Sequence, residues 1–337
     1  MLCHAQSLLY RLCRVALLTL TLLALVPAAQ AAEKKSFKVA WSIYVGWMPW
    51  DYAAQSGILK KWADKYGIAI QLTQINDYVE SINQYTAGGF DGCVMTNMDM
   101  LTIPAAGGVD STALIIGDFS NGNDGVVLKG KGKTLANIKG LPVNLVELSV
   151  SHYLLARALE TAGMQERDIK VVNTSDADVV GAYAAADTKA TVTWKPQLSE
   201  IAAAKDAQLV FDSSKIPGEI IDMMVVNTAT LKDNPKLAKA LVGAWYETMQ
   251  LMAAKDPKAL EHMARASGTD LAGFNSQLAT TKMFWTPAEA HQFATGPAVI
   301  KTMDLVRKFS FDHGLLGEGA KTIDAVGIEF PGGKTLG

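Results

Sequence analysis

Aromatic side chains cluster at the ends of two predicted strands. Tyr44 and Trp47 follow the first strand, and Trp194 ends a later one just before a Lys-Pro pair. In an open α/β sheet, ligands bind in the crevice beyond the carboxyl ends of the strands, where these residues fall. Aromatic rings in such a crevice can stack on a planar ligand or hold a cation. We therefore expect Tyr44, Trp47 and Trp194 to contact a ligand, whereas core packing is the better reading of Trp50.

Acidic residues occupy comparable positions. The candidates are Asp99 after the strand predicted over 92–96, Asp118 after 113–117, Glu147 after 143–146 and Asp222 before 223–227. Helix capping is the alternative for such acids, and it fits Asp77, which has capping-box spacing with Glu80. It fits Glu147 less well, because Glu147 follows an apolar run and precedes a predicted helix. Thr96 and Asn97, also at a strand end, could add polar contacts or only shape the turn.

Enzyme signatures are missing from the sequence. It contains no His-Glu-x-x-His, Cys-x-x-Cys or Gly-x-Ser-x-Gly motif, so zinc-hydrolase and serine-hydrolase functions lack their usual residues. The glycines at 130 and 132 resemble part of a phosphate loop, but Val127 stands where the leading glycine belongs. His152, His262, His291 and His313 are scattered, which favours packing or surface roles over metal binding. We therefore expect a protein without catalytic residues, cofactor or metal.

The charge balance excludes one class of partner. The 337 residues carry 31 Lys+Arg against 33 Asp+Glu, a net charge of −2, which lacks the basic footprint of a nucleic-acid binder. The chain is longer than the roughly 250 residues at which a single hydrophobic core stops growing, so we expect two lobes.

Residues 1–31 have the pattern of a cleaved signal peptide. Arg11 and Arg14 precede an apolar run over 15–26, and small residues up to Ala31 offer a peptidase site. The run is shorter than the roughly 20 apolar residues of a membrane span. Cleavage after Ala31 would leave Cys93 as the only cysteine, so we expect no internal disulfide in the exported chain.

Runs rich in β-branched residues alternate with segments of helical spacing. Strands are predicted over 37–43, 68–75, 92–96, 113–117, 143–146, 169–173, 190–194, 208–211 and 223–227. Helices are predicted after Asp77, near Ser149, over 237–252 and from Thr286. The alternation predicts an α/β fold of mainly parallel sheets flanked by helices.

Two turn-rich stretches predict where the chain passes between lobes. Residues 121–125 and 215–218 are each followed by a β-like run. We predict one lobe from residues 32–125 and 226–337, a second from 126–225, and a hinge made of the two crossing segments. A ligand would bind in the cleft between the lobes.

Several short motifs occur in a characteristic order. They lie at 45–49 with 57–59, 87–91, 135–140, 151–155 with 158–160, and 193–196. Together they make the chain resemble the periplasmic substrate-binding proteins of ABC importers of the nitrate/sulfonate/taurine type, over nearly all of its length after the signal peptide. The resemblance implies a type II-like, two-lobed fold that closes on a small solute in the periplasm. It also implies an ABC permease in the inner membrane as partner and a monomeric protein.

One departure from the family points to the solute. In sulfonate binders, the loop before the helix at 151–155 leaves backbone N–H groups free for an oxyanion. Here that loop contains Glu147, whose carboxylate would repel a sulfonate, so a neutral or cationic solute is favoured. The residues at 147–153, with 96–99 and 118–124, are similar to the subgroup associated with urea carboxylase, an enzyme group connected with guanidine.

Guanidinium suits such a site because it is a planar cation with a fork of N–H donors. Two carboxylates can accept from the fork while an aromatic face covers the plane. We expect Glu147 from the middle lobe, with Asp99, Asp118 or Asp222 from the other lobe or the hinge, to bind it under Trp47, Tyr44 or Trp194. Urea, which has the same shape without the charge, is the near alternative. A sulfonate or nitrate-type solute, an enzyme on this fold similar to pyrimidine-precursor synthases, and a sensory binding protein remain open.

Overall fold

Two mixed β-sheets organise the chain, which this computed structural model describes over residues 34–337. The predicted signal peptide, residues 1–31, lies outside the described residues. The strands are β1 (Ser36–Trp41), β2 (Ala69–Gln74), β3 (Gly92–Thr96), β4 (Ser111–Ser120), β5 (Asp124–Lys129), β6 (Pro142–Leu145), β7 (Lys170–Asn173), β8 (Ala190–Trp194), β9 (Ala207–Asp212), β10 (Ile221–Asn227), β11 (Thr281–Met283), β12 (Ile328–Glu329) and β13 (Thr335–Leu336).

Helices pack around these sheets. They are α1 (Met48–Gln55), α2 (Ile58–Lys65), α3 (Tyr78–Thr86), α4 (Asn97–Met100), α5 (Val150–Thr161), α6 (Val179–Ala184), α7 (Gln197–Ala202), α8 (Thr228–Asp233), α9 (Pro235–Ala253), α10 (Pro257–Ala266), α11 (Leu271–Leu278), α12 (Pro287–Ala294) and α13 (Pro297–Asp312). A short 3₁₀ turn over Val45–Trp47 precedes α1. Among the described helices, none combines the length and the apolar composition needed to cross a bilayer.

The larger sheet has six strands in the order β11-β4-β10-β3-β1-β2, and the second has five in the order β7-β6-β8-β5-β9. The α/β prediction is confirmed, but the strand directions are mixed rather than mainly parallel. β1 is parallel to β2 and β3, and β6 to β7 and β8, whereas β4 and β5 pair antiparallel with their neighbours. The chain leaves the six-stranded sheet on β4 and re-enters it on the adjacent β10, so these two strands oppose each other.

Two short segments connect the sheets. Residues 121–123 lie between β4 and β5, and residues 213–220 lie between β9 and β10. The predicted division between residues 225 and 226 falls inside β10, which begins at Ile221 and pairs with β3 and β4. The return to the six-stranded sheet is therefore complete before Ile221. Below, lobe 1 is the part that carries the six-stranded sheet and lobe 2 the part that carries the five-stranded sheet.

The helix caps predicted from the sequence make the expected hydrogen bonds. The Asp77 carboxylate accepts the N–H of Glu80 at 2.9 Å and caps α3, and Ser149 caps α5. At α12 both bonds of the Thr286 and Glu289 capping box are present. The free Cys93 is buried in the core. These caps stabilise the helix starts, and with them the adjoining strand ends, that surround the candidate site.

Candidate ligand-binding site

A small cavity lies where the ends of strands from both sheets meet. Its walls are Tyr44, Trp47, Tyr78, Thr96, Asp124, Val150, Trp194, Ile220 and Asp222. The centre of a water molecule can reach about 10 Å³ of it, close to the minimum that holds one water. Thr96 ends β3, Trp194 ends β8 and Val150 begins α5, so lobes 1 and 2 both contribute. A ligand larger than a few heavy atoms would need the lobes to move apart.

Four aromatic rings form a box around this cavity. Tyr44 and Trp47 meet edge to face with centroids 5.0 Å apart, and Trp47 lies 5.8 Å from Tyr78. Tyr78 in turn meets Trp194 edge to face at 5.5 Å. Within residues 34–337, the buried Nε1 of Trp47 has no hydrogen-bond partner. The box therefore offers ring faces and one unused donor to a ligand.

Two aspartates face each other beside the box. Asp118 on β4 and Asp222 on β10 are directly paired across the two strands, and both are buried. The Tyr44 hydroxyl donates to Asp118 Oδ1 at 2.8 Å. No N–H or O–H donor of the described chain reaches the Oδ2 atoms of either aspartate, and the two carboxyls share a hydrogen bond when one of them is protonated. Burial raises the pKa of Asp118 to about 7, and burial together with the Asp118 charge raises the pKa of Asp222 well above its ordinary value.

A third buried acid comes from the second sheet. Asp124 begins β5 and is directly paired with Trp194 on β8. Its Oδ2 accepts a hydrogen bond from Ser120 Oγ at 2.5 Å. Burial raises the pKa of Asp124 to about 7, an effect that this hydrogen bond opposes.

A fourth buried acid lies behind the wall of the cavity. Asp99 Oδ2 accepts from the Tyr78 hydroxyl at 2.7 Å and from Thr96 Oγ1 at 2.8 Å. The N–H of Thr96 donates to the Tyr78 hydroxyl at 2.9 Å, which fixes the ring that lines the cavity. Burial raises the pKa of Asp99 to about 6, although both hydroxyl donors oppose the shift. Asp99 thus orients Tyr78 and adds negative charge.

The acids form a cluster without a matching cation. Among the ion pairs within residues 34–337, none involves Asp99, Asp118, Asp124 or Asp222. Close packing holds one of them in place, since a Cβ at Gly46 would lie 2.4 Å from Asp118 Oδ2. Buried carboxylates without a cation are costly to ionise, so the arrangement favours a positively charged occupant.

The predicted site residues fall into three groups. Tyr44, Trp47, Thr96, Trp194 and Asp222 lie on the cavity wall. Asp118 contacts the wall through Tyr44, and Asp99 contacts it through Tyr78 and Thr96. Glu147 and Asn97 form the third group, and their positions correct the prediction.

Glu147 is exposed on the turn between β6 and α5 and lies outside the cavity. Its N–H donates to Asn173 Oδ1 at 3.1 Å, and the buried Val146 and Ser149 on either side turn the glutamate side chain towards solvent. Asn97 is buried, and its side chain binds the backbone where the chain returns to lobe 1: its Oδ1 accepts from the N–H of Ile221 at 3.1 Å. The expectation that Glu147 grips the solute is therefore wrong, and Asn97 holds backbone rather than lining the cavity.

Sequence reasoning missed Tyr78, Asp124, Val150 and Ile220. Tyr78 is the first residue of α3, so a helix-face pattern alone assigns it to the core. Asp124 follows the Asn-Gly-Asn turn at 121–123, and this turn was the signal that could have found it. Asp124 lies where the chain crosses from β4 to β5, on the wall of the cavity.

Comparisons with known proteins place the chain in a family. Residues 30–267 match the model of the NMT1-like family. The taurine-binding periplasmic protein of Escherichia coli (strain K12) is 22% identical over 223 residues, which are 62% of this chain and 68% of that protein. A binding protein of Brucella abortus (strain 2308) is 23% identical over 180 residues, which are 52% of this chain and 56% of that relative, a little over half its length.

A solved structure shows the same fold. The alkanesulfonate-binding protein SsuA of Xanthomonas axonopodis pv. citri, bound to MOPS, aligns with a TM-score of 0.72 at 18% identity, covering 88% of this chain and 99% of that one. The chain therefore belongs to the NMT1-like family, has the two-lobed fold of periplasmic solute-binding proteins, and is a binding protein rather than an enzyme.

Proposed function

We propose that this protein is a periplasmic receptor that binds guanidinium and delivers it to an ABC permease in the inner membrane. The observation that carries the proposal is the cluster of buried aspartates against an aromatic box. No donor group of the described residues reaches the Oδ2 atoms of Asp118 and Asp222, and the two carboxyls hydrogen-bond each other, which requires a proton on one of them. The importer partner and the monomeric state follow from the family resemblance.

Guanidinium matches the chemistry of the walls. Its planar N–H fork can donate to carboxylates in pairs, and its face can lie against an indole or phenol ring. Asp124 and Asp222 on the cavity wall supply the acceptors, Asp118 adds charge from the position opposite Asp222, and Trp47 and Trp194 supply ring faces. With four heavy atoms, guanidinium is larger than the single water that the cavity now admits, but it is small enough that a slight separation of the lobes would accommodate it.

The charge of the ligand is the main discriminator. A bound cation offsets the repulsion between Asp118 and Asp222, so both can ionise without water. Urea has the same shape but no charge, and it would leave those carboxylates either unpaired or protonated. A sulfonate or nitrate would face carboxylates with no lysine or arginine among the lining residues, which disfavours both anions.

Closure of the two lobes would bury the solute. We propose that lobe 1 comprises residues 32–125 and 226–337 with two adjustments: β10, from Ile221, is added to lobe 1, and β5, from Asp124, belongs to lobe 2. One contact across the cleft joins the lobes next to the box: Asp176 Oδ1 accepts the N–H of Tyr78 at 3.1 Å. Because Tyr78 lines the cavity, this bond favours the closed form.

Isothermal titration calorimetry of residues 32–337 against guanidinium, urea, taurine and nitrate tests the proposal. We expect saturable binding of one guanidinium per chain, with urea at least about 100-fold weaker, the cost of leaving buried charges unpaired. Tight binding of taurine or nitrate, or of urea alone, would contradict it. The exposed Glu147 offers a control, since Glu147→Gln should bind guanidinium as tightly as the parent protein.

A further inference from the structure

A second cluster of polar side chains lies outside the ligand cavity. His152, Glu166 and His313 bring one ligand atom each to within 4.8 Å of one another. His152 lies on α5 and Glu166 begins the 3₁₀ turn Glu166–Asp168, both in lobe 2, whereas His313 directly follows α13 in lobe 1. The cluster therefore connects the two lobes at a point that the proposed solute does not touch.

Two atoms of the cluster are buried without a well-aligned hydrogen bond. His152 is 4% exposed, and its Nε2 lies 3.2 Å from Glu166 Oε1. Within residues 34–337 neither atom has a well-aligned hydrogen bond, and their contact with each other is an ion pair. Zinc–nitrogen bonds of about 2.0 Å place two ligands of a tetrahedral ion about 3.3 Å apart. The observed separation is therefore close to that of two zinc ligands.

The orientation of His313 also suits a metal. Its Nδ1 lies 2.8 Å from the carbonyl oxygen of Phe309, which accepts the Nδ1 proton. Without a metal, Nε2 also carries a proton and donates it to the Glu166 carboxylate; a zinc ion would displace this Nε2 proton while Nδ1–H stays on Phe309. That Nε2 lies 2.6 Å from Glu166 Oε2. The Phe309 ring stacks on the imidazole with centroids 4.0 Å apart and holds it in this orientation.

We propose that His152 Nε2, a Glu166 carboxylate oxygen and His313 Nε2 bind a zinc ion that links lobe 1 to lobe 2. Two imidazoles and one carboxylate form a zinc ligand set, and a water completes the tetrahedron. The ion would replace the contact through which His152 Nε2 and Glu166 Oε1 now interact at 3.2 Å. The proposal does not depend on which solute fills the aromatic box.

Zinc binding requires a change at one loop. The N–H of Leu148 donates to His152 Nδ1 at 3.1 Å, whereas a neutral imidazole that binds zinc through Nε2 carries its proton on Nδ1. Leu148 has φ of +62°, a left-handed conformation that strains a non-glycine residue. Turning the Glu147–Leu148 peptide by about 180° brings φ to about −118°, an allowed value, and points the Glu147 carbonyl towards Nδ1.

Zinc binding to the metal-free protein tests the site. Residues 32–337 are stripped with EDTA and titrated with ZnCl₂ by calorimetry, with and without guanidinium, and Co²⁺ serves as a spectroscopic probe. We expect one ion per chain and the visible absorption bands of tetrahedral Co²⁺. His313→Ala and His152→Ala should each lower the zinc affinity about 100-fold or more. The exposed His291 provides the matched control, and His291→Ala should bind zinc like the parent.

Absence of saturable zinc binding under both conditions overturns the proposal, as does binding that survives His313→Ala. Octahedral Co²⁺ spectra would also contradict the assigned ligand set. His152 is buried, so His152→Ala could fail to fold, but His313 has a side chain 22% exposed and its variant decides the question alone.

Discussion

Asp118 and Asp222 occupy directly opposed positions on the antiparallel strands β4 and β10, and both carboxylates are buried. No donor group of the other described residues reaches the Oδ2 atom of either aspartate. Burial raises the pKa of Asp118 while its hydrogen bond with Asp222 opposes the shift, and burial together with the Asp118 charge raises the pKa of Asp222, so without a ligand the pair retains protons that a cation between them would displace. The pair thus explains why the proposed ligand is positively charged.

Asp118→Asn should weaken guanidinium binding. Loss of one partner from a buried charge pair costs about 2–5 kcal/mol, which corresponds to about 30-fold to 5000-fold in affinity. Calorimetry with the parent and the variant measures the change. At pH 8, where Asp118 is ionised, the variant without ligand should also unfold at a higher temperature, because it removes a buried carboxylate charge. An affinity equal to that of the parent would show that Asp118 does not face the solute.

The affinity for guanidinium should fall as the pH is lowered from 7 to 5. The pKa values of Asp118 and Asp124 are raised to about 7 by burial, and that of Asp222 is raised further. Protons therefore compete with the cation, and the affinity falls up to about tenfold per pH unit for each proton displaced. Titrations in buffers of different ionisation enthalpy should detect proton release on binding. A pH-independent affinity would contradict the assignment of these acids.

The protein without ligand should become less stable as the pH rises from 4 to 7. The folded pKa values of Asp99, Asp118 and Asp124 are raised above the value of about 3.9 in unfolded chains, so the folded state holds protons that the unfolded state has lost. The free energy of unfolding then falls through this window. Thermal unfolding at pH 5 and pH 8 measures the change, and saturating guanidinium should reduce the difference.

Gly46→Ala should disrupt both the fold near the cavity and the binding of the solute. The added Cβ would lie 2.4 Å from Asp118 Oδ2 and 2.5 Å from the Tyr44 ring. Overpacking of this kind costs about 1–3 kcal/mol of stability. Gly181→Ala is the matched control, because nothing lies within 4 Å of its Cβ and its helix α6 favours alanine by about 0.5–1 kcal/mol. Chemical denaturation of both variants tests this contrast.

Trp194→Leu should lower guanidinium affinity about fivefold to 30-fold, since a desolvated cation–π contact contributes about 1–2 kcal/mol. Trp194 also donates Nε1–H to the carbonyl of Ile43 at 3.4 Å, so it joins the two lobes at the cavity. Quenching of tryptophan fluorescence during titration reports the affinity. Trp285, which does not line the cavity, gives the control variant Trp285→Leu. Equal affinities for both variants would remove Trp194 from the site.

Sequence patterns predicted the helices well where the pattern lies within a single segment. The capping boxes at Asp77 and Thr286, the helix after Ser149 and the buried stripe of α9 depend on spacing within one segment. Strand direction was less accessible, because β4 and β10 become antiparallel neighbours only through pairing across about a hundred residues. The spacing of residues along the chain therefore does not reveal which strands pair.

The candidate site was likewise predictable from the sequence only in part. The amino-acid sequence by itself determined that aromatic and acidic residues gather at strand ends, that enzyme motifs are missing and that the chain resembles a family of solute binders. The tertiary structure alone decided which acids are inside: it buries Asp124 and leaves Glu147 in solvent. The physical reason is that burial depends on how β5 and the turn after β6 pack against the other lobe, which no single segment encodes.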